Sequence, residues 1–502
     1  MRFPIVLCAC VGCVLAAAGC MPAPPIPVTR QDLAASYLEF ETSYFGDPPA
    51  PADIARLNRA FDGASVQFFT GDNAGAVRAL DELTATRTAR TAAATRVATS
   101  LKLVFEPPVY RQGAAPPVVR VAGLYLLDAL AVAPTPLRLR LRGADDAVAF
   151  EQSFVARARP FGYFDVTFQL AESARALGAG WYRVELATAD DTTIPVRRLA
   201  IVARSLDEIR MQNEALLAEL NPATPALRDA FSICKARNAL LSDRPSEDNS
   251  TQFLSDPLAL SNEVARELAD LRDGRLPYRR RAGDYWRVVP IEGAVIPMRV
   301  YVPAAAAGEE RRPLLIALHG AGGDENMFFE GYGAGAIRKL ADELDFIVAA
   351  PLTYLMIGNP AALDRVVGTL RADYAIDDDR VYLLGHSLGV VAAAGFARNR
   401  PETIAAVATF AGTLTYSGAA TVPPTLALVG ALDPLSSPER ARGAAESAAA
   451  AGLPVEFRLI ENYGHTLVVG DRLREAVEWL LARRLPYSTD ERAPPAPAGS
   501  AR

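Results

Sequence analysis

Few residue types in this chain can do covalent chemistry, and their order along it is informative. Ser387 stands between two glycines in Gly385-His386-Ser387-Leu388-Gly389. Five mostly apolar residues precede this run, and small residues at helical spacing follow it. The pattern predicts a strand that turns sharply into a helix and lifts the serine hydroxyl clear of a sheet edge. The two glycines have a steric reason, because a side chain at either place would strike the neighbouring strand or helix. A neutral hydroxyl is a poor nucleophile at pH 7, so a general base must lie within hydrogen-bonding reach. The chain has three histidines, His319, His386 and His465. Nucleophile turns of this kind carry their partners in the chain order serine, acid, histidine, which leaves His465 in "ENYGHTL" as the base. Asp433, just past the strand "TLALVG" and before a proline, is the acid expected to orient it. Glu439 and Glu446, on the helix that follows, read as surface residues. This chemistry is acyl transfer.

A developing oxyanion needs backbone N–H donors. One is expected from Leu388, after the nucleophile, and one from Ala321 or Gly320 in "ALHGAGGDENMFF", where a strand ends. His319 and His386 read as structural, since one base suffices. Phe328, Phe329, Tyr354 and Met356 follow predicted strands on the active-site side, as walls of a substrate pocket or as core. No metal or organic cofactor is expected. There is no H-E-x-x-H, no cysteine pair of metal-binding spacing, and "GYGAGA", Gly331 to Ala336, lacks a preceding strand and reads as a helix-opening turn rather than a dinucleotide fingerprint.

These residues need a framework. Over 284–486 the segments "YWRVVPI", "VIPMRVYVP", "PLLIALH", "FIVAAPL", "RVYLLGH", "IAAVATFA", "TLALVG" and "VEFRLIE" alternate with helices near Ala334, Ala361, Leu388, Glu439 and Asp471. That is the signature of an α/β domain with a mostly parallel sheet covered on both faces. Residues 31–115 read as alanine-rich helices that act as packing material. Residues 116–204 carry period-two strands such as "LRLRLR", "GYFDVTFQL" and "GWYRVELAT", which predict a small antiparallel β-sandwich in a structural or carbohydrate-binding role. Residues 205–283 read as a helical connector. Ser205 and Glu208 form its capping box, and Leu206, Ile209, Leu216, Leu217 and Leu220 are expected inward; its basic run "RRR" is expected to face solvent. The tail, 487–502, has the composition of disorder.

At 502 residues, half of them hydrophobic and 22% charged, the chain is a multidomain globular protein. Its net charge of −6 leaves no cationic excess for nucleic acid, which is excluded as an expected partner. Residues 1–19 read as an export signal: one basic residue, an apolar run from Phe3 to Ala18, then small residues. "LAAAGC" resembles a bacterial lipobox, which makes Cys20 the acylated first residue of a mature envelope protein whose membrane contact is through that lipid alone. Cleavage after Ala16-Ala17-Ala18, giving a secreted product, is the alternative. Three of the five cysteines fall in the leader, so no disulfide is expected within the mature chain.

"ALHGAGGDENMFF", "DDDRVYLLGHSLGVVAAAGFARNRPETIAAVATFAG", "VGALDP" and "YGHTL" together resemble secreted serine esterases of the α/β-hydrolase superfamily. The types in view are polyhydroxybutyrate depolymerase, feruloyl esterase and dienelactone hydrolase, whose catalytic domains are similar to those of prolyl oligopeptidases. The resemblance covers about Tyr285 to Leu485. It implies hydrolysis of a small-molecule or polymer-linked ester by Ser387, His465 and Asp433 through an acyl-enzyme. Such relatives often carry a further glycine after the elbow, where this chain has Val390 and Val391. Two other readings stand beside it: a serine peptidase of prolyl oligopeptidase type, although no propeller-blade repeat precedes Tyr285, and a surface lipoprotein that only binds.

Overall fold

The computed structural model describes residues 27–127, 133–157, 164–244, 257–292 and 294–486. The leader, Cys20 and the tail lie outside the described residues.

Four helices come first: α1 (Arg30–Gly46), α2 (Pro51–Phe69), α3 (Asn73–Arg87) and α4 (Ala93–Thr99). Thr29 and Asp32 cap α1 reciprocally, and Pro51 opens α2 where its missing N–H costs nothing. The helices do not stand apart as inert packing. Phe40, Tyr44, Leu57 and Phe61 share one core with Phe328, Phe329, Tyr332 and Val468 of the α/β domain.

Strands begin earlier than the sequence pattern suggested, at Leu101 rather than near residue 116. The sandwich comprises β1 (Leu101–Glu106), β2 (Val109–Arg111), β3 (Val118–Gly123), β4 (Thr135–Arg142), β5 (Val148–Ala156), β6 (Asp165–Gln169), β7 (Gly180–Ala187) and β8 (Thr193–Val202). They form two sheets, ordered β1-β3-β6 and β2-β8-β7-β4-β5. All pairings are antiparallel except β2 with β8. The alternation of β4 divides its faces: Leu137, Leu139 and Leu141 are buried in the inter-sheet core, while Arg138, Arg140 and Arg142 pair with Asp191, Glu151 and Glu185 on the outer face.

Helices α5 (Leu206–Glu219), α6 (Pro225–Asn238) and α7 (Pro257–Arg272) connect the sandwich to the α/β domain. Leu206 and Leu217 are buried as expected, but Leu216 is 47% exposed, because the inward stripe runs through Asn213 and Leu217 instead. Part of the basic run also turns inward: Arg281 pairs with Glu263 at 2.9 Å and with Glu267 at 3.3 Å.

The α/β domain contains β9 (Gly283–Ile291), β10 (Ala294–Val302), β11 (Arg312–Leu318), α8 (Ala336–Leu344), β12 (Ile347–Pro351), α9 (Pro360–Asp373), β13 (Ile376–His386), α10 (Leu388–Asn399), β14 (Ala406–Phe410), β15 (Thr425–Gly430), α11 (Pro438–Ala450), β16 (Val455–Ile460) and α12 (Leu467–Leu481). Its single sheet runs β16-β15-β14-β13-β11-β12-β10-β9. It is parallel from β16 to β12, with β10 and β9 added antiparallel. Leu314, Ile316 and Leu318 point into one core and Leu315 and Ala317 into the other, so both faces are covered. The chain builds β12 on one side of β11 and then crosses to β13 on the other. That reversal opens a crevice at the carboxyl ends of β11 and β13, where ligands gather in open sheets.

Candidate active site

Ser387 sits in that crevice, between β13 and α10, at φ 51° and ψ −110°. A non-glycine residue in such a region costs about 1–3 kcal/mol and persists only where its surroundings hold it. Here the Ser387 N–H donates to the Phe410 carbonyl at 2.9 Å and its carbonyl accepts from Val390 at 2.9 Å. The glycines are obligatory: a Cβ on Gly389 would lie 2.0 Å from the Leu318 carbonyl oxygen, and one on Gly385 would lie 2.6 Å from the Gly389 carbonyl oxygen.

Asp433 and His465 arrive on the loops after β15 and β16, and a third glycine explains their meeting. A Cβ on Gly430 would lie 2.3 Å from the Gly464 carbonyl oxygen, so only glycine lets the two loops touch. The Asp433 carboxylate lies 2.8 and 3.0 Å from His465 Nδ1, with both residues buried. Asp433 Oδ1 also accepts the N–H groups of Leu435 and Ser436, each at 2.8 Å. The acid is therefore fixed before it meets the imidazole. Ser387 and His465 line one cavity, and Asp433 occupies Nδ1 of the ring.

The loop after β11 supplies backbone donors. Gly322 N–H donates to the Tyr354 hydroxyl at 2.6 Å, Gly323 N–H to the Gly320 carbonyl at 3.2 Å, and Gly320 N–H to the Tyr332 hydroxyl at 3.3 Å. Gly320, one of the two expected loop donors, is thus already engaged. Ala321 borders the cavity beside Ser387. Its N–H and that of Leu388 donate to no protein group among the described hydrogen bonds.

Both remaining histidines hold backbone. His319 accepts the Thr353 N–H on Nε2 at 3.0 Å and gives its Nδ1 proton to the Gly320 carbonyl at 2.9 Å. Burial pushes it down to about 4, so it is neutral at pH 7. His386 accepts from the Tyr332 hydroxyl on Nδ1 at 2.7 Å and donates from Nε2 to the His465 carbonyl at 3.1 Å. Burial holds it well below the ordinary histidine range as well. A chain of hydrogen bonds from Gly320 through Tyr332 and His386 to His465 therefore ties three segments of the site together. No sequence signal marked Tyr332.

Of the residues expected as pocket walls, Phe328, Phe329 and Met356 are fully buried in the cores and Tyr354 is 46% exposed. None of the four lines the cavity. The missing wall comes from the opposite end of the chain. Leu33 and Tyr37 of α1, and Phe61, Ala64, Ser65 and Phe68 of α2, face Ser387 and His465. The same helices anchor the site's backbone. Asp62 accepts the His465 N–H at 2.7 Å, Asn58 accepts the Gly464 N–H at 3.0 Å, and Glu41 accepts the Gly333 N–H at 3.2 Å. Desolvation pushes Asp62 up to about 6 and Glu41 up to about 8. Asn58 and Asp62, four residues apart on the apolar face of α2, were the available clue: polar groups in a buried stripe need partners. The "GYGAGA" turn, with Gly333, Ala334 and Gly335 all at positive φ, is filled by Glu41 from α1. Among the described residues no group of three or more His, Cys, Asp or Glu side chains is placed to hold a metal ion.

The strand order, the crossovers and the strained turn at Ser387 define an α/β-hydrolase fold. No protein-family model and no curated protein matches the chain. Several solved structures are similar to it. An S-formylglutathione hydrolase from Agrobacterium tumefaciens is 17% identical, over 40% of this chain and 96% of that one, with a TM-score of 0.35. A thermostable esterase is 15% identical over 77% of this chain and 99% of that one, at 0.36. An acetyl xylan esterase from Aspergillus awamori is 16% identical over 37% and 93%, at 0.32.

Proposed function

We propose that this protein is a serine hydrolase of carboxylic esters. The observation that carries the reading is the buried Asp433–His465 pair, 2.8 Å apart, whose His465 shares a cavity with a serine held on a strained elbow. Ser387 Oγ attacks the ester carbonyl while His465 Nε2 removes its proton, and Asp433 keeps the imidazole in the tautomer with hydrogen on Nδ1. The carbonyl oxygen becomes an oxyanion and takes hydrogen bonds from the N–H groups of Ala321 and Leu388. Collapse breaks the bond to the alcohol oxygen, which leaves with the proton from His465. Water, deprotonated by His465, then attacks the acyl-serine and releases the carboxylic acid.

A fluorophosphonate probe is expected to label the wild type and not Ser387→Ala. Hydrolysis of nitrophenyl acetate is expected to fall by about four orders of magnitude or more in that variant. Labelling that persists in the variant removes Ser387 from the mechanism.

The same proposal takes 1–19 as an export signal and Cys20 as a lipid-bearing amino terminus, on the strength of the apolar run and "LAAAGC". A mature protein whose first residue is an unmodified Gly19 or Cys20, read by mass, sinks the lipid alone, and one that keeps Met1 sinks the export signal.

A further inference from the structure

We propose that α1 and α2 are the specificity wall of the ester site and limit it to esters whose apolar group is about the size of one aromatic ring or a short branched chain. The inference rests on the ester-hydrolase reading and adds the substrate class.

The cavity beside Ser387 has a volume of about 150 Å³. The site is partly open to solvent, and space of roughly that size against the apolar wall takes about one benzene ring. Most of its apolar lining, including Leu33, Tyr37, Phe61, Ala64 and Phe68, comes from α1 and α2, whereas the α/β domain contributes Ser387, His465 and the loop after β11, with Met327, Tyr332 and Leu435 beside them. The greater part of the surface that can select by size therefore lies in a different region of the chain from the proposed reacting groups.

The wall is held firmly. Phe61 stacks on Phe40 with ring centroids 5.0 Å apart and lies 5.5 Å from Tyr37, whose hydroxyl donates to Glu41 at 2.8 Å. Asp62 and Asn58 bond the very loop that carries His465. Helix α2 therefore cannot swing away without releasing two backbone N–H groups of that loop. At the far end of α2, Phe68 meets the loop after β11 so closely that a Cβ on Gly322 would lie 2.5 Å from its ring. Arg30 closes the same edge through a 2.8 Å hydrogen bond to the Gly322 carbonyl. A fixed wall of this kind selects by size, since an extra methylene that does not fit costs about tenfold or more in kcat/KM.

The test is a pair of substrate panels: nitrophenyl esters of lengthening acyl chain, and acetate esters of enlarging alcohol. Each is run on the wild type, Phe68→Ala and Ser65→Phe, with circular dichroism reporting the fold. In the wild type kcat/KM is expected to drop about tenfold once the varied group outgrows roughly six carbons, in at least one panel. In that panel Phe68→Ala, at a half-buried position, moves the drop to larger groups, and Ser65→Phe moves it to smaller ones. The panel in which the limit moves identifies the group that the wall holds. A limit that is the same in the wild type and in whichever variants fold, or no limit in either panel, overturns the inference. Absence of all ester turnover and of fluorophosphonate labelling in the wild type overturns the ester reading instead.

Discussion

The α/β domain and the N-terminal helices contribute to one site by opposite means. In the α/β domain Ser387, Asp433 and His465 each follow a strand and stand beside glycines that close packing requires: Gly385 and Gly389 around Ser387, and Gly430 where the Asp433 and His465 loops cross. In α1 and α2 no residue sits in a motif, yet they supply the covering wall and three acceptors for backbone N–H groups. Polar burial also differs. Asp433 in the α/β domain receives two backbone N–H groups besides the imidazole, whereas Asp62 keeps one oxygen buried without a partner. The groups proposed for catalysis stand on the sheet, and the cover comes from distant chain, where Asp62 is less well satisfied while both Glu41 oxygens are bonded, to Tyr37 and Gly333.

The comparison can be broken most severely at Asp433. Asp433→Asn is expected to lower kcat for nitrophenyl acetate by about four orders of magnitude while the protein stays folded, because the amide disrupts the tautomer of His465 rather than the core. A loss of less than about tenfold removes Asp433 as the orienting acid.

Next comes Asp62, which acts through the backbone of His465 and is a positioning residue. Asp62→Ala is expected to cost about ten- to a hundredfold in kcat with little change in KM, since a misplaced base loses rate rather than substrate affinity. Asp62→Asn, whose amide oxygen still accepts the His465 N–H, is expected to recover most of that loss. Equal damage from both variants assigns Asp62 a role other than this hydrogen bond.

The smallest effect is on stability against pH. Glu41 is raised from its ordinary range to about 8 by burial, so the folded state holds a proton there that the unfolded state has released. Stability from this group is complete below the unfolded value and is lost as pH rises through about 8. Asp62, raised to about 6, has finished its contribution earlier. Asp81, raised to about 7 by burial, overlaps the lower part of the same window. Between pH 6 and 8 the wild type should therefore lose melting temperature. Glu41→Gln should flatten that slope by an amount worth at most about 2–3 kcal/mol. Parallel melting curves for the two proteins from pH 6 to 9 exclude the assignment.

Much of this was legible because it is local. The eight strands of the α/β domain read as apolar runs since both sheet faces are covered, and the Ser387 turn read from its glycines. Asp433 and His465 could be chosen from chain order and the scarcity of histidine. Where the reason was not local, distant contacts decided between readings that stood open or overrode the pattern. Leu101–Glu106 and Val109–Arg111 are strands because β3 and β8 are there to pair with them. Phe328, Phe329 and Met356 went into the core because the helices after them pack on the sheet. Gly320 lost its N–H to Tyr332, twelve residues on.

By itself, then, the sequence determined the turn that lifts Ser387 and the sheet that carries it, and it singled out His465 and Asp433 as the imidazole and carboxylate of the proposed triad. Those features are marked by glycine flanks, by the chain order of the polar groups and by burial on both faces of a strand. Tertiary structure alone decided what closes the site. Asp62 and His465 are 403 residues apart, and an amphipathic helix bears no mark of which apolar surface it will cover. Only the packing of α1 and α2 onto the loops around Ser387 turned an ordinary helical face into the wall of the cavity beside it.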